Sequence, residues 1–447
     1  DAITYVGAHT WNGYDWVDDA HVAYLSGGEE RISNNLSLTS TPVWGPDGRK
    51  LAFFGLRPSE PWYRNSENLY IYDFSTEGLE VHNVEAAHFG SYSQGPMWDD
   101  SGEKVYYVVQ DRGKQQVEAV ILDGSDAHGV SSRLTVHDGA FGRSPVRLSR
   151  DATKMGFVYS ESTEPAHPRM IDTAGGSETV CQEPSRIEDE IVPENVTYES
   201  YDGLYINAYI YRPPNSSVDN PTPALIQCHG GAHYQYRDSW HGLEQYLASN
   251  GFTVISIDYR GSGGYGRAFQ ELSMGDWEGG EVKDIREAAR FARDLPYTTD
   301  KVGIYGQSWG GYMTLHSISQ YPEIWDAAVE WYGVLNQFTD YEDTDRVGRR
   351  LTERDLDGTP EDAEQAYYDA SIHWRLDDIQ TPLAVLHGED DSRVPVGQAT
   401  EIETAFRDKN VDFQKTIFEG EGHGFQGGDT RREAARTTLE WFQKHLE

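Results

Sequence analysis

The run Gly306-Gln307-Ser308-Trp309-Gly310 follows directly on the apolar stretch Val302-Gly303-Ile304-Tyr305, and it constrains this chain more than any other feature. It is a G-x-S-x-G pentapeptide in the setting that a nucleophile elbow requires, with a short buried strand before it and a helix-like segment after it. A sharp strand-to-helix turn forces the serine into a strained backbone conformation, and only glycine lets the neighbouring turns approach closely enough. The pentapeptide alone is weak evidence, since Gly-rich turns containing serine are common. Its weight comes from what surrounds it.

A serine hydroxyl is a poor nucleophile until a histidine takes its proton, and that histidine needs a carboxylate to fix its tautomer. In strand-helix hydrolases the order along the chain is Ser, Asp, His. Downstream of Ser308, the apolar run Leu383-Ala384-Val385-Leu386-His387 leads into the acidic loop Gly388-Glu389-Asp390-Asp391-Ser392-Arg393-Val394-Pro395, which puts a carboxylate at a strand end. A last strand, Phe413–Phe418, precedes Glu419-Gly420-Glu421-Gly422-His423-Gly424-Phe425, where His423 lies between two glycines on a loop suited to delivering an imidazole. Upstream, Ala224-Leu225-Ile226-Gln227-Cys228 ends in His229-Gly230-Gly231. Backbone N–H groups of that turn can face a developing oxyanion, with a second donor from Trp309, the residue after the nucleophile.

Residues from about 195 to 447 resemble the catalytic domain of the prolyl oligopeptidase family of serine peptidases, most closely its acylaminoacyl-peptidase branch. The resemblance is carried by Asp202-Gly203-Leu204, His229-Gly230-Gly231, Asp258-Tyr259-Arg260-Gly261-Ser262-Gly263-Gly264-Tyr265-Gly266, the elbow, His387 to Pro395, and Gly422-His423-Gly424-Phe425. It implies an α/β-hydrolase domain, a mostly parallel sheet covered by helices, and by the pattern His-Gly-x-x-Asp it makes Asp391 the acid. Prolyl oligopeptidases and dipeptidyl peptidases proper carry a tyrosine in the oxyanion hole where His229 stands here. The departure argues against both and leaves Trp309 with Gly230 or Gly231 as backbone donors. In the family the loop after the strand beginning at Ala327 lines the acyl-side pocket, which makes Trp331, Tyr332 and Phe338 candidate substrate contacts for an apolar residue.

The first 190 residues have another texture. Trp44-Gly45-Pro46-Asp47-Gly48-Arg49-Lys50-Leu51-Ala52-Phe53-Phe54 recurs from Trp98 and, more weakly, from Leu148, at steps of 54 and 50 residues, with a shorter echo at Trp16. That is the period of four-stranded propeller blades. The family's β-propeller lies over the active site and limits substrate size, but it has seven or eight blades, and residues 1–190 supply at most four. The expectation is an incomplete propeller over 1–190, with either blades missing or a genuinely reduced lid, and the catalytic domain over 191–447, joined by the acidic stretch Arg186–Glu190. Open sheet edges in such a propeller favour pairing with another chain, and so a homo-oligomer.

The formal net charge of −37, with nine lysines, is spread over both halves. We read it as adaptation to a salt-rich cytoplasm in a halophile, because salt screens such self-repulsion. It disfavours nucleic acid binding. No run of 18 apolar residues marks a membrane span, and no H-E-x-x-H spacing marks a metal site; no cofactor is expected. Cys181 and Cys228 suggest no disulfide framework. The expected activity is a serine peptidase on short peptides. A carboxylesterase on the same triad is one rival, and a propeller-based binding protein with a vestigial hydrolase is the other.

Overall fold

The structure, a computed structural model, describes the chain apart from positions 1, 12–14, 34, 35, 39, 57–65, 88–94, 123–129, 134–139, 142–145, 175–177, 186, 187, 232, 274, 275, 277, 278 and 408. Two compact units emerge: residues 1–188 with 237–240 and 263–270, and residues 189–236 with 241–262 and 271–447. The expected linker Arg186–Glu190 spans this boundary, with Arg186 and Ile187 outside the described residues.

In the first unit every strand pairing is antiparallel among the described residues. The sequence repeat becomes a repeated four-stranded unit: Val43–Trp44, Lys50–Leu56, Ser66–Asp73 and Gly78–Ala87, then Met97–Trp98, Lys104–Asp111, Lys114–Ile121 and Val130–Arg133, then Arg147–Leu148, Lys154–Glu161, Glu164–Asp172 and Glu178–Val180. The same turn opens each one, with Gly48 N–H donating to Gly45 O, Gly102 N–H to Asp99 O and Ala152 N–H to Ser149 O. Alternation along the strands then sends side chains to both faces. Val105, Tyr107 and Val109 pack against Phe54, Leu69 and Ile71 of the preceding unit, while Tyr106 and Val108 pack against Met155, Phe157 and Tyr159 of the following one. The echo at Trp16 falls in the strand Asp15–Tyr24 of a separate three-stranded sheet, where the side chains of 16–18 lie outside the described residues.

The second unit is built on eight strands: β1 (Glu194–Glu199), β2 (Tyr205–Tyr211), β3 (Thr222–Cys228), β4 (Thr253–Asp258), β5 (Thr298–Gln307), β6 (Ala327–Trp331), β7 (Leu383–Gly388) and β8 (Phe413–Phe418). Their order is β1-β2-β4-β3-β5-β6-β7-β8, antiparallel at β1-β2 and β2-β4 and parallel from there on. Strands β4, β6 and β7 are buried along their whole length, as expected of parallel strands covered on both faces. Helices α1 (Gly242–Ser249), α2 (Gly280–Asp294), α3 (Trp309–Gln320), α4 (Gln337–Asp343), α5 (Arg346–Asp355), α6 (Glu364–Asp369), α7 (Gly397–Phe406) and α8 (Gly428–Leu446) intervene or follow. Leu247 of α1 and Trp441 and Phe442 of α8 share one core with Leu225, Tyr305 and Val329 of the sheet.

Candidate active site

Strand β5 ends at Gln307 and α3 begins at Trp309, so Ser308 alone makes the turn, with φ 57° and ψ −118°. This left-handed φ is costly for a residue with a Cβ. Two glycines make the turn possible. A Cβ on Gly306 would lie 2.3 Å from Gly310 O, and one on Gly310 would lie 2.1 Å from Cys228 O at the end of β3. Ser308 N–H donates to Trp331 O at 2.9 Å, which ties the elbow to β6.

His423 Nε2 lies 2.9 Å from Ser308 Oγ, and its Nδ1 lies 2.7 Å from Asp391 Oδ2. The Asp391 side chain is fully buried, and its other oxygen accepts the N–H groups of Arg393 and Val394, both at 2.9 Å. Its neighbours Glu389 and Asp390 are exposed. Buried His387 closes the same loop, with Nε2 donating to Val394 O at 2.8 Å; burial holds its pKa below the usual imidazole range. Of the three acids in the loop, the structure brings Asp391 to the histidine.

The Gly230-Gly231 turn abuts the elbow, since a Cβ on Gly230 would lie 2.9 Å from Gln307 O and 3.6 Å from Ser308 Cβ. Trp309 is the first residue of α3, where amides project from the helix N-terminus. His229 is buried behind the turn, stacked on Tyr259 with ring centroids 4.4 Å apart and with Nε2 2.8 Å from Ser262 Oγ. Desolvation lowers its pKa to about 4, so it is neutral at ordinary pH. The segment 258–262 thus supports the turn. Arg260, which anchors that segment, is held by Asp284 and Asp202.

The three expected pocket residues part company. Tyr332 sits against the histidine, with ring centroids 4.7 Å apart, and its hydroxyl donates to Gln307 Oε1 at 3.0 Å. Trp331 points the other way: its indole donates to Thr438 Oγ1 within the core under α8. Phe338 lies on α4 and packs on Tyr367 in a separate cluster. The split between Trp331 and Tyr332 comes where β6 ends: Trp331 is its last residue, and Tyr332 follows with a left-handed φ of 42° that turns its ring toward the histidine.

Two carboxylates beside the site were not singled out in the sequence. Glu421 accepts the N–H groups of Gln426 and Gly427 at 2.6 and 3.0 Å, fixing the loop that carries His423; its hydrogen bond with Thr430 lowers its pKa. Glu330 is fully buried in β6. Nothing local separates Glu421 from the exposed Glu419 two residues earlier. A charged residue inside the apolar strand Ala327–Trp331 was the readable clue to Glu330. Among the described residues no group of His, Cys, Asp and Glu is arranged to hold a metal ion. The arrangement as a whole can move a proton from the serine to an imidazole whose other nitrogen faces a buried carboxylate.

Residues 239–447 match the sequence profile of the prolyl oligopeptidase family. The chain is 25% identical over 428 residues to an uncharacterised peptidase of Bacillus subtilis, covering 87% of this chain and 61% of the relative. It is 24% identical over 453 residues to the acylamino-acid-releasing enzyme of Mus musculus, covering 94% of this chain and 61% of that enzyme. The acylaminoacyl peptidase of Pyrococcus horikoshii superposes with a TM-score of 0.82 at 20% identity, covering 100% of this chain and 70% of that one. The fold of the second unit is that of an α/β-hydrolase domain, its sheet mixed and mostly parallel. The chain spans about 61% of the length of these curated relatives.

Proposed function

We propose that this chain is a serine-type peptidase acting on short peptides. Ser308 attacks the scissile carbonyl while His423 takes its proton and later passes it to the leaving amine. Asp391 accepts from the imidazole Nδ1–H, which leaves Nε2 free to take the serine proton, and stabilises the imidazolium. Trp309 N–H and the Gly230-Gly231 turn receive the oxyanion. The observation that carries this reading is His423 placed 2.9 Å from Ser308 Oγ and 2.7 Å from Asp391 Oδ2 on a strained elbow. The acylamino-acid-releasing relative adds support for peptides as substrates. Tyr332, beside the histidine, is the best placed of the expected pocket residues to meet the substrate's acyl side.

In this reading the repeated four-stranded units are propeller blades that limit substrate size, and their face-to-face stacking supports it. The charge of −37 suits a salt-rich cytoplasm, and free sheet edges favour a homo-oligomer. No helix among the described residues is long and apolar enough to cross a membrane.

The test is covalent labelling by a fluorophosphonate at high salt, followed by a panel of acyl-amino-acid, free-amino-terminal and internal peptide substrates with simple esters alongside. Label on Ser308 with peptide turnover is expected. Absence of label in folded protein would end the hydrolase reading, and turnover of esters alone would make the protein an esterase.

A further inference from the structure

We infer that Glu330 is a positioning residue. Its carboxyl seats the Trp331-Tyr332-Gly333 turn on the first turn of the nucleophile helix, and through that turn fixes both the Ser308 amide and the ring that braces His423. The inference rests on the hydrolase reading above and names a device within that same site.

Glu330 stands one residue before the end of β6, with no exposed surface. Its Oε2 accepts Gly333 N–H at 2.7 Å. The turn and the helix touch at this carboxyl: a Cβ on Gly333 would lie 2.6 Å from Gly311 C, 2.7 Å from Tyr312 N and 3.0 Å from Glu330 Oε2. A Cβ on Gly311 would come within 3.1 Å of the same oxygen. Neither glycine leaves room for a Cβ at this junction. From the seated turn two connections reach the chemistry. Trp331 O accepts Ser308 N–H at 2.9 Å, and Tyr332 N–H donates to Leu386 O at 2.9 Å, holding a tyrosine whose φ is 42° with its ring against the imidazole. A left-handed tyrosine relaxes unless its surroundings hold it, and the Gly333 anchor comes directly after it.

Among the described residues the surroundings of the carboxyl are uncharged. Its neighbours in the sheet are Gly306 on β5 and Val385 on β7. On α3, Tyr312 donates its hydroxyl to Ala370 O, and burial holds His316 neutral with its pKa lowered to about 3. Tyr332 is bound to Gln307, and His387 of β7 donates to Val394 O. Glu330 Oε1 has no hydrogen-bond partner among the described residues. Burial pushes the carboxyl up to about 8, so at neutral pH it is protonated and still accepts the Gly333 N–H. Ionisation would leave a buried charge facing one N–H group, which such an interior does not tolerate without movement.

The experiment measures the rate of fluorophosphonate labelling of Ser308 against pH in the full chain, in Glu330→Gln and in Glu330→Ala, with melting curves alongside. The parent rate is expected to fall above about pH 8. Glu330→Gln keeps the carbonyl acceptor, so it should label within about twofold of the parent at neutral pH and lose the alkaline fall. Glu330→Ala should label roughly tenfold more slowly at neutral pH while still melting cooperatively. An alkaline fall unchanged in Glu330→Gln, or an alanine variant as fast as the parent, overturns the inference. Should Glu330→Ala fail to fold, the glutamine profile decides by itself. Should the parent take no label, the hydrolase reading falls, and melting decides on the carboxyl: relative to Glu330→Gln the parent should lose stability as pH rises from the ordinary carboxylate range to about 8 and level off above it, and a difference that stays constant over that range overturns the inference.

Discussion

Asp390 and Asp391 are adjacent in sequence and differ entirely in environment. Asp391 is buried and binds two backbone amides besides His423, whereas Asp390 is exposed. An amide at 391 would still fill the space, but it would hold the imidazole in the wrong tautomer. Asp391→Asn should therefore lower kcat/KM by on the order of 10⁴, and Asp390→Asn should leave it within a few-fold of the parent. Steady-state kinetics on any substrate the panel identifies will separate the two; the reverse ranking would move the acid role to Asp390. Ser308→Ala should remove turnover and leave the melting temperature close to the parent's, because alanine keeps the Cβ and its backbone strain and gives up only the part-buried hydrogen bond to His423.

At the level of elements, the site depends on close backbone approaches and on a pinned loop. A methyl group at Gly310 would collide with the β3 carbonyl of Cys228 at 2.1 Å. Backbone cannot yield as a side-chain tip can, so Gly310→Ala should cost about 1–3 kcal/mol, the usual range for overpacking, and should abolish fluorophosphonate labelling. Thermal melts and labelling together check both effects. The loop after β8 is held by Glu421 through the amides of Gln426 and Gly427. Glu421→Ala should lower kcat about tenfold or more with a smaller change in KM, since it loosens the delivery of His423 rather than the binding surface. A change confined to KM would show that the loop keeps its geometry without the carboxylate.

For the whole molecule, buried acids and surface charge pull in the same direction with pH. Desolvation raises Glu244 and Asp340 to about 7 and Glu330 to about 8. Between the ordinary carboxylate range and these values the folded state binds more protons than the unfolded chain. Stability therefore falls as pH rises through that window, by up to about 1.4 kcal/mol per pH unit for each group. On the acid side the sign reverses: hydrogen bonding to Thr430 lowers the pKa of Glu421, and hydrogen bonding to Arg260 lowers that of Asp202, so their contribution is lost as pH drops through those lowered values. At fixed high salt the melting temperature should peak on the acid side of neutrality, and Glu244→Gln should flatten the descent toward about pH 8; a melting temperature that climbs over that range would contradict this. Salt is the second lever. Dilution from about 1 M to about 0.1 M lengthens the Debye length from about 3 to about 10 Å, and with a charge of −37 it should lower the melting temperature and activity together.

The elbow, the order of serine, acid loop and histidine, the His229-Gly230-Gly231 turn and the blade-length repeat were all legible in the sequence, because each is a local signal. Apolar runs of strand length, glycines where backbones must touch and turn residues at a fixed step depend on near neighbours in the chain. Apolar runs at 206–211, 224–228, 254–258, 302–305, 327–331, 383–387 and 413–418 marked seven of the eight strands of the second unit. The eighth, Glu194–Glu199, lies at the sheet edge and is mostly exposed, so it carries no apolar run. Among Glu389, Asp390 and Asp391, composition left the choice open, and a family pattern was needed to favour Asp391. Only the tertiary structure sets one oxygen of Asp391 against the imidazole while two amides hold the other. Likewise, Trp331 and Tyr332 are neighbours in sequence, yet one indole enters the core and one phenol meets the histidine, because β6 ends between them and Gly333 is held by a carboxyl buried in the strand. Local sequence determined which turns and strands form; burial and long-range packing decided which of the residues at those strand ends face the chemistry.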